Sequence, residues 1–180
     1  MPAAKVVAVF GGSQTAPGQP VYDEARRLGA ELAHAGWTVM TGGYAGVMEA
    51  TSRGAAEAGG HVIGVTCERI ETLRKGLRSN AWVKEETKYA TLRERLYHLV
   101  EHCEAAIALP GGVGTLSEVA LAWSLMQAGE IRRKPLVVVG RVWSETVSTF
   151  IREAGGFIYP EDAHLVQMVD RIEEAVIAIE

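Results

Sequence analysis

Three times in this chain a short apolar run ends in glycines and opens at once into a helical pattern. Lys5 to Phe10 (KVVAVF) is followed by Gly11-Gly12-Ser13, Trp37 to Thr41 (WTVMT) by Gly42-Gly43-Tyr44-Ala45-Gly46, and Ala105 to Leu109 (AAIAL) by Pro110-Gly111-Gly112-Val113-Gly114. Apolar runs of this length, rich in β-branched residues, predict buried strands, and strands that alternate with helices predict βαβ units. The expected fold is therefore α/β: a Rossmann-like, doubly wound, mostly parallel sheet with helices on both faces. Ligands of such sheets bind beyond the carboxyl ends of the strands, at a topological switch point, and all three glycine turns lie at carboxyl ends of predicted strands.

The remaining elements follow from periodicity. Helices are predicted over Tyr22–Ala35, Val47–Ala58, Thr91–Cys103, Thr115–Ala128, Ser144–Ala154 and Arg171–Ile179, the last capped by Asp170. Further strands are predicted at His61–Thr66, Pro135–Val139 and His164–Val169. The stretch from Cys67 to Lys88 is charged and mixed, and reads as a solvated loop with a strand near Trp82–Glu86. Its Arg69, Arg74, Lys75, Arg78 and Lys84 are the alternative to that reading, a cationic wall. The helix Thr115–Ala128 is apolar nearly all round, which predicts burial against the sheet or in a subunit interface.

With 180 residues, 48% of them apolar, the chain suits a single domain over residues 1–180. A net charge of −4 and scattered basic residues argue against a nucleic-acid partner. No apolar run approaches a membrane span, and Met1 to Lys5 leads straight into the first strand, so a cytoplasmic protein is expected. Cys67 and Cys103 lack metal-binding spacing and read as reduced thiols. His98 and His102 stand four apart on one predicted helix, but without an HExxH pattern no metal is expected.

The chemistry concentrates on the third turn. Glycines let backbone amides approach a ligand closely, and the free N–H groups and positive end of a helix N-terminus favour an anion, phosphate first of all. Gly111, Gly112, Gly114 and the Thr115 hydroxyl form this nest. Glu118, one turn into the helix, is either a carboxylate favourable to the helix dipole or a group for the sugar and the reacting carbon. Arg95, on the preceding helix, is either a surface charge or a partner of the site, with Arg93 its near rival. Neither GxGxxG after the first strand nor GxxxxGK[ST] is present, which disfavours dinucleotide and P-loop chemistry. Ser13 and Ser117 lack a nucleophile elbow.

Leu109 to Glu118 (LPGGVGTLSE) resembles the PGGxGTxxE signature of the LOG family, often mislabelled lysine decarboxylase, whose characterised members are cytokinin riboside 5′-monophosphate phosphoribohydrolases. Gly12-Ser13 is similar to the family's first Gly-Ser turn. Gly42-Gly43-Tyr44-Ala45-Gly46-Val47-Met48 is similar to its second glycine motif, one residue shorter, and Leu96 stands where the family has the lysine of an Arg-Lys pair. These departures resemble a less characterised branch, itself similar to molybdenum-cofactor carrier proteins. The resemblance implies a homodimer or higher homo-oligomer that hydrolyses the N-glycosidic bond of adenosine 5′-monophosphate-type nucleotides, with no cofactor. It implies Arg95 and Glu118 as the catalytic pair, and Gly12, Ser13, Gly42, Gly43, Gly46, Met48, Gly111, Gly112, Gly114 and Thr115 as the phosphate and nucleotide site. The alternative it leaves is a non-catalytic nucleotide or molybdenum-cofactor carrier.

Overall fold

A computed structural model describes residues 5–180, so the lead-in read at residues 1–4 lies outside the described part. Seven strands form one sheet: β1 (Val6–Phe10), β2 (Thr38–Thr41), β3 (Val62–Cys67), β4 (Glu85–Tyr89), β5 (Ala105–Ala108), β6 (Leu136–Val139) and β7 (Gln167–Val169). Their order is β4-β3-β2-β1-β5-β6-β7, and every neighbouring pair is parallel. The mostly parallel sheet expected from sequence is thus parallel throughout.

The central strands are buried on both faces, which is why they read as unbroken apolar runs. Along β1, Val7 and Val9 enter one core layer while Ala8 and Phe10 enter the other. The first layer is closed by α1 (Pro20–His34), α2 (Val47–Glu57) and α8 (Ile172–Ala178), through residues such as Leu28, Leu32, Ala50 and Ile172. The second is closed by α4 (Leu92–Glu101), α5 (Val113–Ala128) and α6 (Arg141–Ala154), through Leu99, Val119, Met126 and Trp143. The result is a three-layer sandwich with helices on both faces of the sheet.

Departures from the sequence reading have local causes. The span Cys67–Lys88 is not simply a loop: α3 (Glu68–Leu73) follows β3, and β4 starts at Glu85, three residues after the expected Trp82. As an edge strand β4 turns Glu85, Glu86 and Lys88 outward, so it carries little of the hydrophobic signal of a strand, and such charges protect an edge from further pairing. Helix α5 starts at Val113, two residues before Thr115, because Gly112 takes an extended N-cap conformation. Asp170 does not cap α8: the N-cap is Arg171, and the Glu174 carboxylate accepts from the N–H groups of Asp170 (3.0 Å) and Arg171 (3.2 Å). Between α6 and β7 lie a 3₁₀ turn (Gly155–Phe157) and a short α7 (Pro160–Ala163), and β7 keeps only the last three residues of the predicted His164–Val169 strand.

Candidate functional site

Strands β1 and β5 are neighbours at the centre of the sheet, yet β1 leads into α1 on one face and β5 is followed by α5 on the other. The crevice between their carboxyl ends is the switch point of the fold. Backbone hydrogen bonds knit the three glycine turns together there. Gly12 N–H donates to the Pro110 carbonyl at 3.1 Å, and Val47 N–H donates to the Gly12 carbonyl at 2.9 Å. Gly46 holds φ at +75°, and a Cβ there would lie 2.6 Å from Ser13 Cα, so only glycine admits this approach.

Around this knot the named residues divide into an open lip and a buried floor. Gly111, Gly112 and Gly114 are exposed, and Gly112 offers no side-chain cap, so the first-turn amides of α5 stay available to a ligand. Gly12 and Ser13 are half-buried beside them. Thr115 and Glu118, three residues apart on one face of α5, both point inward and are 3% and 8% exposed. Gly42, Gly43, Gly46 and Met48 are buried under the second turn.

Arg95 is the residue whose placement most changes the reading. It is 6% exposed and no surface charge. Its Nε donates to the Val65 carbonyl at 2.7 Å and its Nη2 to the Gly42 carbonyl at 3.0 Å, with Met48 Sδ 3.9 Å away. The guanidinium also lies 5.6 Å from the Tyr44 ring centroid, within cation–π range. Nη1 makes no hydrogen bond among the described residues. Thr91 and Glu94 hold the start of α4 in a reciprocal capping box, which fixes where Arg95 enters. Arg93, its rival, is exposed and lines a groove of about 490 Å³ between α4 and α5 together with Leu96, Tyr97 and Leu121.

Glu118 accepts no hydrogen bond among the described residues, and burial pushes its carboxyl up to about 7, the Arg95 charge acting in the opposite direction. A carboxyl with this pKa exchanges protons near neutral pH, as a general acid or base must.

Three supporting residues were not singled out from sequence. Trp143 Nε1 donates to the Leu109 carbonyl at 2.9 Å and fixes the strand end that feeds the third turn. The Tyr44 hydroxyl accepts from Cys67 N–H at 2.8 Å and donates to the Cys67 carbonyl at 3.2 Å, tying the second turn to the end of β3. Asn80 binds the carbonyls of Gly43 and Tyr44 through its side-chain amide, at 3.1 and 3.0 Å. Tyr44 lay inside a glycine motif and so carried a signal, whereas nothing local marked Asn80 or Trp143.

Residues 4–165 match the SLOG cluster4 family. The chain belongs to that family. Among its relatives, a cytokinin riboside 5′-monophosphate phosphoribohydrolase of Arabidopsis thaliana is 32% identical over 182 residues, covering 98% of this chain and 77% of that protein. In three dimensions this SLOG cluster4 protein is similar to the molybdenum cofactor binding protein of the phototrophic bacterium Rippkaea orientalis, with a TM-score of 0.75 and 26% identity over 99% of this chain and 97% of that one. It is also similar to the molybdenum cofactor carrier protein of Chlamydomonas reinhardtii, with a TM-score of 0.71 and 27% identity over 98% and 96% of the two chains. The LOG-family resemblance and the α/β Rossmann-like fold are therefore both established. Among the described residues, no helix is long and apolar enough to cross a membrane.

Proposed function

We propose that the protein hydrolyses the N-glycosidic bond of an adenosine 5′-monophosphate-type nucleotide, releasing free base and ribose 5-phosphate. The observation that carries this reading is Glu118: a buried carboxyl shifted to about 7, one turn behind the uncapped N-terminal amides of α5. A carrier needs the nest, but has no use for a proton-exchanging carboxyl beside it.

In this reading the 5′-phosphate rests on the amides of Gly111 to Thr115, and the ribose lies across the first two glycine turns. The C1′–N bond breaks through an oxocarbenium-like state, its electron pair leaving with the base. Ionised Glu118 stabilises the cationic sugar and takes a proton from the water that attacks C1′, while the departing base nitrogen acquires a proton from solvent. Arg95 acts mainly as a positioning residue, since two of its nitrogens are engaged by Val65 and Gly42, and its charge keeps part of Glu118 ionised. Incubation of the pure protein with AMP and N6-substituted analogues, followed by chromatography for free base, tests the proposal.

A second reading, a non-catalytic carrier of a nucleotide or of molybdenum cofactor, is favoured by one observation in particular. Leu96, where the LOG enzymes have a lysine, lines the groove between α4 and α5 and brings no charge to the site. Tight binding of a phosphorylated ligand with no base release selects it. Either way a homodimer is proposed: Leu92, Tyr97, Val113 and Leu116 form an exposed apolar face along α4 and the start of α5, the surface that a second copy would cover.

A further inference from the structure

The connection from β3 to β4 leaves the sheet at its carboxyl edge after Cys67. It stays on that edge at least as far as Asn80, whose N–H donates to the Gly43 carbonyl at 2.8 Å. Lys84 has already crossed to the opposite edge, where its Nζ donates to the Gly60 carbonyl at 2.9 Å. Residues 68–80 therefore form a rim beside the second glycine turn, and Lys84 is excluded from it.

The rim carries Arg69, Arg74, Lys75 and Arg78, all exposed, in a chain whose net charge is −4. None of the four makes an ion pair within 4 Å among the described residues. The rim's own Glu71 pairs with Lys88 at 2.9 Å, a cation it shares with Glu86 at 3.6 Å, and Glu68 is the other carboxylate of the rim, so the four cations still outnumber the acidic groups beside them. Like charges gathered in so short a stretch repel one another, and an anion held among them would relieve that repulsion. Their geometry also says where on a ligand the complementary charge must be. From the nest at the end of β5 to the rim at the end of β3 is three strand spacings, through β1 and β2, or about 14 Å. The adjacent phosphates of a nucleoside diphosphate are too close together to span this. A nucleotide lying across the turns, phosphate in the nest, points its base at the rim.

Building on the nucleotide reading above, we infer that Arg69, Arg74, Lys75 and Arg78 form a second anion subsite, and that the ligand is a nucleoside 5′-monophosphate whose base carries an acidic substituent. The shared chemistry is an anionic group, carboxylate or phosphate, at the base end. An apolar N6 substituent gains nothing from this rim.

Calorimetric titration of the Glu118→Gln protein, which is expected to bind without releasing base, with AMP, N6-(1,2-dicarboxyethyl)-AMP, an N6-phosphoryl analogue and N6-isopentenyl-AMP tests this, and the triple variant below is made on the same background. The acidic analogues should bind about tenfold tighter than AMP at low ionic strength, with the advantage shrinking as salt rises. The carboxylate and phosphoryl arms identify which anion the subsite prefers. The triple variant Arg74→Ala, Lys75→Ala, Arg78→Ala should keep the affinity for AMP and lose the preference. Equal affinities for AMP and both acidic analogues, a preference that survives the triple variant, or tightest binding of the isopentenyl compound would each overturn the inference while leaving the nucleotide reading intact. Failure of all four compounds to bind would overturn both.

Discussion

Arg95 Nη2 donates to the carbonyl of Gly42 at 3.0 Å, joining residues 53 apart in the chain. The guanidinium occupies the space a side chain at Gly42 would need: a Cβ there would sit 3.1 Å from Arg95 Cζ and 2.6 Å from Met48 Sδ. Glycine at position 42 and arginine at position 95 are thus one device. It holds the second glycine turn against the helix that precedes β5.

Gly42→Ala tests the device from one side. The added methyl must displace both Arg95 and Met48, and overpacking of this kind costs about 1–3 kcal/mol. Urea denaturation should show that loss, and base release should fall with it because Arg95 moves. A variant as stable and active as the parent would mean that the guanidinium shifts without consequence.

Arg95→Ala tests it from the other. Two buried carbonyls, at Val65 and Gly42, lose their donor, at about 1–3 kcal/mol for each group left unpaired. The positive charge that lowers the Glu118 pKa also disappears, so the carboxyl of this variant should titrate higher than in the parent. An NMR titration of the Glu118 side-chain carboxyl reads that displacement, which a purely packing role for Arg95 would not produce.

Glu118 makes stability depend on pH in a definite direction. Its folded pKa, about 7, lies above the ordinary value of 4.5, so the folded state binds the proton more tightly than the unfolded state. The stabilisation is full below the unfolded pKa and is lost as pH rises through the folded one, a fall of about 3 kcal/mol in all. Glu118→Gln removes this dependence, and should be more stable than the parent at about pH 8, with the difference closing toward about pH 4. The same substitution should leave nucleotide binding in place and abolish base release. For the parent, release should rise with pH through about 7 and then level off, since the ionised carboxylate is the working form. Full turnover by Glu118→Gln would falsify the assigned mechanism.

Leu116→Asp addresses assembly. Leu116 is 47% exposed, in the first turns of α5, on the apolar face proposed for the dimer. Static light scattering should show a dimer for the parent at micromolar concentration and a monomer for the variant, with an unchanged circular dichroism spectrum. A monomeric parent would contradict the proposed homodimer.

The layering of the fold and the position of the anion nest are legible in sequence because both are local. Strand runs such as Val6–Phe10 and Ala105–Ala108 are apolar throughout because they are covered on both faces, and the glycines of the nest stand directly before their helix. Strand β4 was legible only in part, since an edge strand with exposed Glu85, Glu86 and Lys88 carries little hydrophobic signal. Arg95 left two readings open, surface charge or site residue, because the helical pattern of α4 records which face is apolar and not which carbonyls from β2 and β3 will meet a charge. The sequence by itself determined a parallel, doubly wound sheet with glycine turns at its carboxyl edge, since periodicity and turn chemistry act within a few residues. Only the tertiary structure decided that Arg95 is buried on Gly42, that burial raises the Glu118 carboxyl to about 7, and that the segment carrying the cations of residues 69–78 leaves the sheet at its carboxyl edge while Lys84 lies at the opposite one. Burial, hydrogen-bond partnering and charge proximity arise between segments far apart in the chain, where no local pattern can register them.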